Sequence, residues 1–320
     1  NTLPSDSVLK PFHAPYLFFS DIMHNIRNLK QEDISPSAFR DIVTSLSAFV
    51  DDVDTLCTDF FSLSVKERTD GVCGTFHTEL IAASTKGKLP TSLIESIEYR
   101  FSEYEDAVQA ADGTREQSKA RTALKNSLKK WFEKQQQALL KQQEMAKVYG
   151  LYEEHLLNIG RYDYEDMITL VVREFKANKD LLAECQEQFQ FILVDEYQDT
   201  NGAQNEIVEL LGSFDDSPNV FVVGDDKQSI YRFQGASLSN MLSFYDRYKE
   251  HVRVLSLHKN YRSQKHAIDA ADAVIANNKE SLVAHIPDIY AKQEAAANLP
   301  EQLLSCVETN SEEEEAYRIA

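Results

Sequence analysis

Residues 191–200 read FILVDEYQDT: four apolar side chains, Phe191, Ile192, Leu193 and Val194, run straight into the acidic pair Asp195 and Glu196. A carboxylate is costly to bury unless something binds it, so the pair must be exposed or engaged. An apolar run this short reads as a fully buried strand of a parallel sheet, and ligands of open α/β sheets bind just past the carboxyl ends of such strands. On these residues alone two readings stand open: a strand that ends in a solvated acidic turn, and the edge of a metal or phosphate site.

Outward from this stretch, apolar runs alternate with helical patterns. YDYEDMITLVVREF (162–175) has the spacing of an amphipathic helix, QFILVDE (190–196) of a strand and AQNEIVELL (203–211) of a helix. NVFVVGDD (219–226) reads as a strand, LSNMLSFYDRY (238–248) as a helix, VRVLSL (252–257) as a strand and QKHAIDAADAVIANN (264–278) as a helix. Strands that alternate with helices imply a parallel sheet with crossovers. Before residue 160 the pattern is different, with helical runs over 16–30, 37–56, 93–111 and a long one over 115–159. ISPSAF (34–39) combines a Ser cap with a Pro in the first turn, and Gly113 is the expected break between two helices. Asp163 and Asp166 read as helix-capping residues.

A chain of 320 residues is expected to hold more than one domain. It has no apolar stretch of membrane-spanning length and no secretion signal at its start, so a cytoplasmic location is expected. Cys57, Cys73, Cys185 and Cys306 are far apart, which suggests neither a zinc site nor a disulfide framework. The chain starts at Asn1 and stops in EEEEAYRIA, a helix beginning, and is expected to be a piece of a longer protein. A net charge of −19 argues against a nucleic-acid binder as a whole, but residues 115–147 carry nine basic side chains against three acidic ones. Within that stripe Arg121, Lys125 and Lys129 share one helical face, and Leu124, Leu128 and Trp131 share another. A solvated surface helix and a nucleic-acid contact are both compatible with that pattern.

Each expected strand is followed by polar or aromatic groups: DEYQDT after residue 194, GDDKQSIYRFQGAS after residue 223 and HKNYRS after residue 257. These three segments resemble motifs II, III and IV of the UvrD/Rep/PcrA family of superfamily 1 DNA helicases, in order and at similar spacing. YDYEDMI is similar to the segment preceding motif II, and IMHNIRNLKQEDISPSAF (22–39) to the start of the family's helical insertion. The resemblance is strong over 161–264 and weaker over 16–39. It implies an α/β fold: an incomplete RecA-like (P-loop NTPase) parallel sheet with a large, mainly helical insertion domain. Residues 1–160 would be that insertion, 161–262 the C-terminal part of the first RecA-like domain, and 263–320 the truncated start of the second.

The resemblance also implies roles. Asp195 would hold Mg²⁺ through water, and Glu196 would orient and deprotonate the water that attacks the γ-phosphate of ATP. Gln228 would sense that phosphate, Tyr261 would stack on adenine, and Arg262 would neutralise charge in the transition state. Phe233, with Tyr231 beside it, would stack on bases of single-stranded DNA, although Tyr231 also fits simple packing. The parent would be an ATP-dependent helicase or translocase, moving 3′ to 5′ on single-stranded DNA and meeting duplex junctions, in replication, repair or recombination. A helicase subunit of a helicase–nuclease, a non-catalytic module that binds DNA or a partner, and a Mg²⁺-dependent enzyme of another class, for which QSIYRFQGA would have no use, are the alternatives. Two departures stand out. Gln234 occupies a place where many family members have Arg, and the phosphate loop GxxxxGK[ST] is found nowhere in residues 1–320. STKGK (84–88) does not fit its spacing. GTFHTELIA (74–82) resembles a family DNA-contact motif but falls on the wrong side of LKQEDISP, and is read as coincidence. The chain alone is therefore expected to be inactive.

Overall fold

The computed structural model describes residues 9, 18–63, 78–80, 91–215, 217–229, 238–278, 281–286, 289, 292–296 and 308–319. The chain divides into two compact units, Asn1–Thr169 and Leu170–Ala320. The dividing point falls inside one helix, Tyr164–Ala177.

The first unit is helical. Helices α1 (Phe19–Gln31) and α2 (Pro36–Ser62) are followed by α3 (Thr91–Gln109) and the 45-residue α4 (Thr114–Asn158), against which α2 and α3 pack. Local chemistry sets the boundaries. Ser35 caps α2 by accepting from Ala38 N, with Pro36 in its first turn, where a missing N–H costs nothing. Gly113, at φ +108°, separates α3 from α4 in a conformation that an L side chain resists. Val43, Val50, Val53, Cys57 and Phe60 form the inward stripe of α2, at helical spacing. They meet Leu124, Leu128 and Trp131 of α4, the apolar face read from the sequence. Phe60 stands edge-on to Phe101 and Tyr104, at centroid distances of 5.2 and 5.7 Å. Trp131 is buried and donates its indole N–H to Ser96 Oγ at 2.9 Å. Burial pushes the Cys57 thiol up to about 12, with the nearby Asp54 charge adding to the effect, so this cysteine is an inert core residue. Cys185 is also a free thiol, and Cys73 and Cys306 lie outside the described residues.

A polar knot closes this unit. Lys30, only 2 % exposed, directs its ammonium to Glu153 Oε1, Asp163 Oδ2 and Asp166 Oδ1 at 2.6, 2.7 and 2.6 Å. It also sits 5.0 Å from the centre of the Tyr152 ring, whose hydroxyl donates to Asp163. Asp163 and Asp166 each accept the other's backbone N–H at 2.9 Å, so both are capping residues at the start of α5 (Tyr164–Ala177). Burial opposes the charge on Lys30, but its hydrogen bonds to Asp163, Asp166 and Glu153 outweigh this and raise its pKa. Burial likewise favours a neutral Asp163, and is outweighed by Lys30, the Asp166 N–H and the Tyr152 hydroxyl, so its pKa is lowered.

The second unit is α/β. After α5 come α6 (Lys179–Gln188), β1 (Ile192–Val194), α7 (Gly202–Gly212), β2 (Val220–Val222), α8 (Leu238–Arg247), β3 (Lys259–Asn260), α9 (Lys265–Ile275), β4 (Glu294–Ala295) and α10 (Glu312–Ile319). Strand β1 pairs parallel with β2, Leu193 opposite Phe221, and β3 pairs parallel with β4. The incomplete parallel sheet with its helical partner unit is thus present, with three corrections. First, β1 is not fully buried: Leu193 is 75 % exposed and Phe221 55 %. Among the described residues β1 has one neighbouring strand, and one face of the pair is uncovered. Second, VRVLSL forms no strand. Its side chains alternate between exposed and half-buried, as in a strand, but among the described residues no neighbour completes a ladder, and pairing starts only at Lys259. Third, α6 intervenes where no helix was expected, capped by the Asn178 side chain on Leu181 N.

Candidate functional site

The carboxyl ends of β1 and β2 stay joined past the strands themselves. Val223 N donates to Val194 O at 2.9 Å and Tyr197 N to Val223 O at 2.8 Å, which holds residues 195–197 beside 223–225. Asp195 and Glu196 emerge here with both side chains exposed, which resolves how a buried-looking run can end in two carboxylates. Asp195 Oδ1 accepts the Glu196 N–H at 2.9 Å, and Glu196 adopts φ 50°, ψ 43°. A left-handed conformation at a non-glycine residue costs about 1–2 kcal/mol and persists only where its surroundings enforce it.

The enforcement comes from the turn that follows. Tyr197 is fully buried, edge-on to Phe244 at 5.8 Å, and its hydroxyl donates to Asn205 Oδ1. Asn205 donates onward to Glu209 at 2.8 Å, and Glu209 pairs with Arg247 at 2.6 Å. Asn240 ties the end of the turn by donating to Thr200 O at 2.9 Å. Partial burial and the adjacent Glu196 charge push the Asp199 carboxyl up.

Gln198 was given no role from the sequence, yet it occupies the centre. It is 1 % exposed. Its Nε2 donates to Glu196 Oε2 at 2.7 Å, and its Oε1 accepts the Asp225 N–H at 3.0 Å. A buried primary amide without partners costs roughly 1–3 kcal/mol, so both contacts are needed for the residue to be there. Gly224 makes room for it, since a Cβ at that position would fall 2.6 Å from Gln198 Oε1. The signal available in the sequence was a polar amide two places after the acidic pair, opposite a glycine at the end of the next strand.

Beyond Gly224, Asp225 caps the short turn Asp226–Gln228 by accepting Lys227 N at 3.1 Å, and its other oxygen accepts from Gln228 Nε2 at 2.8 Å. A continuous run of hydrogen bonds therefore links Glu196, Gln198, Asp225 and Gln228. The same turn is anchored on its far side. Asp226 Oδ2 accepts from Leu282 N at 2.8 Å and Ser281 Oγ at 3.1 Å, and Lys227 pairs with Asp272 of α9 at 3.3 Å.

Tyr261 and Arg262 follow β3 on a turn shaped by Asn260 Oδ1, which accepts both the Arg262 and Ser263 N–H groups. Both side chains are exposed, and among the described residues neither has a hydrogen-bond or ion-pair partner in the Glu196–Gln228 run. Tyr231, Phe233 and Gln234 lie outside the described residues, as does most of GTFHTELIA. On α4, Lys125 and Lys129 are exposed, with Lys129 3.9 Å from Glu133. Arg121 is engaged internally, donating to Phe61 O at 2.8 Å across the Phe61 ring.

Among the described residues no three His, Cys, Asp or Glu side chains cluster as a metal cage. Mg²⁺ does not require one, because it keeps several waters and takes one or two carboxylates. An exposed Asp195 with one oxygen held by a backbone N–H suits that mode. No helix among the described residues is long and apolar enough to cross a membrane.

The family model of the UvrD/REP helicase N-terminal domain matches residues 21–249, well over half of the chain. Over 139 residues the chain is 43 % identical to the ATP-dependent DNA helicase PcrA of Leuconostoc citreum, covering 43 % of this chain and 18 % of that protein. Over 158 residues it is 42 % identical to the ATP-dependent DNA helicase PcrA of Staphylococcus aureus, covering 49 % of this chain and 21 % of the relative. The corresponding protein of Staphylococcus epidermidis is 40 % identical over the same length. The matched part of the chain thus spans about a fifth of the length of these curated relatives.

Proposed function

Because the chain belongs to the UvrD/REP helicase N-terminal domain family, we propose that it supplies the carboxylate half of an ATP-driven motor that moves on single-stranded DNA, 3′ to 5′. The observation that carries this reading is the run of hydrogen bonds from Glu196 through Gln198 and Asp225 to Gln228. It supports the reading by joining the carboxylate proposed to activate water to the amide proposed to sense a phosphate. Asp195 would hold Mg²⁺, which would supply charge neutralisation at the phosphate. Glu196 orients the attacking water and takes its proton. Gln228 exchanges Asp225 Oδ2 for a γ-phosphate oxygen when nucleotide is bound. The exposed Tyr261 stacks on adenine and Arg262 reaches the transferring phosphoryl group. Phe233 and Tyr231 hold bases by their ring faces, and Lys125 and Lys129, with Arg121 beside them, track the DNA backbone. The phosphate-binding loop and its lysine come from sequence other than these 320 residues.

The test uses the full-length protein that contains this chain. Steady-state ATP hydrolysis should rise when single-stranded DNA is added, and strand displacement should require a 3′ rather than a 5′ tail. Hydrolysis indifferent to DNA would overturn the reading.

A further inference from the structure

We propose that Gln198 is the positioning residue of the hydrolytic step: its buried amide orients the Glu196 carboxylate and makes that orientation depend on the turn that carries Gln228. This rests on the ATPase reading and adds to it a residue for which neither the motif roles nor the charge pattern supplies a part.

Three observations carry it. Gln198 is the buried member of the run, at 1 % exposure beside half-buried Asp225 and exposed Glu196 and Gln228. The orientation of its amide is fixed by chemistry: Nε2 faces a carboxylate and Oε1 faces a backbone N–H, and the reverse would set acceptor against acceptor and donor against donor. The contacts also cross from one strand end to the other. Besides the Asp225 N–H, the hydroxyl of Ser229, just past Gln228, donates to Gln198 O at 3.5 Å. A shift of the 225–229 turn, as Gln228 engages or releases a phosphate, therefore pulls directly on the amide that holds Glu196. Asp195 and Glu196 cannot do this for each other, because Asp195 bonds the backbone of Glu196 and leaves its carboxylate free.

Misplacing a reacting group by about 1 Å costs on the order of 10²-fold in rate. In the full-length protein, Gln198→Leu should lower kcat for DNA-stimulated ATP hydrolysis by about 10- to 100-fold, while KM for ATP and affinity for an oligonucleotide stay within about threefold. Gln198→Glu keeps shape and volume but replaces the donor with a second carboxylate against Glu196, already flanked by Asp195 and Asp199. It should lower kcat as Gln198→Leu does, while the stoichiometry and affinity of oligonucleotide binding stay those of the wild type, which a loss of folded protein would not allow. Gly224→Ala displaces the Gln198 amide without altering Gln198 and should reproduce the kcat loss. Variants that hydrolyse ATP like the wild type overturn the proposal while leaving the ATPase reading in place. A wild-type protein without DNA-stimulated hydrolysis overturns both.

Discussion

The two units handle buried polarity in opposite ways. In the first, the Lys30 ammonium is enclosed by three carboxylates and an aromatic ring, with Tyr152, Asp163 and Asp166 also bonded among themselves. In the second, the hydrogen-bonded run starts at buried Gln198 and ends on both sides at exposed groups, Glu196 and Gln228. A fully satisfied network rigidifies a unique core, whereas an open one leaves polar groups at the surface with capacity for further partners. Apolar surface shows the same contrast: the first unit wraps aromatic side chains around α4, while the second leaves Leu193 and Phe221 uncovered on its short sheet.

The largest effect expected from breaking this contrast is at the open network. Glu196→Gln keeps size and hydrogen bonding but removes the base, and should lower kcat of the full-length protein by about 10²- to 10⁴-fold. Nucleotide binding should persist, because Asp195, the proposed metal ligand, is unchanged. A turnover within a few-fold of wild type would take the catalytic role from Glu196.

The closed network comes next. Lys30→Met leaves three carboxylates facing one another and should destabilise the first unit by about 2–3 kcal/mol, below the roughly 3–5 of a fully enclosed pair because these carboxylates are partly solvated. The only tryptophan, Trp131, lies in the core of this unit, so its fluorescence in a urea titration reads the change. The pH dependence has a definite sign. The Asp163 pKa is depressed in the fold, so its contribution is present above the ordinary carboxylate value and is lost as pH falls through the depressed one. Lys30 is raised, so its contribution is present below its ordinary value and is lost only as pH rises through the raised one. The wild-type urea midpoint should therefore fall below about pH 4, and in Lys30→Met that acid dependence should flatten.

Smaller effects are expected at the proposed DNA contacts. Phe233→Ala should weaken single-strand binding of the full-length protein by about 1–3 kcal/mol while leaving much of the DNA-independent ATPase, and fluorescence anisotropy beside steady-state hydrolysis separates the two. Reversing the charges of Lys125 and Lys129 should flatten the salt dependence of binding by up to about two counterions. An unchanged slope would make α4 a solvated surface helix in its exposed part.

These expectations rest unevenly on the sequence. The helices of the first unit were legible because their period, the Ser35–Pro36 start and the Gly113 break are all local. Asp163 and Asp166 were legible as caps for the same reason. Their shared partner was not, because Lys30 lies 133 residues from Asp163 and no periodicity connects them. Burial of β1 was misjudged, since an apolar run reports a strand's preference for cover and not how many neighbours provide it. VRVLSL failed as a strand for the related reason that pairing is non-local. The acidic pair was legible as exposed or engaged because a buried carboxylate without a partner is costly. Gln198 was not, because an amide in a turn carries no pattern until the strand beside it is known.

The central claim is that the second unit holds carboxylates ready for a phosphate which it cannot grip by itself. Calorimetric titration of the 320-residue chain with Mg·ATP tests this most directly. The account predicts a Kd no tighter than about 1 mM, about −4 kcal/mol. Micromolar affinity would contradict it, because the chain would then hold a phosphate cradle of its own.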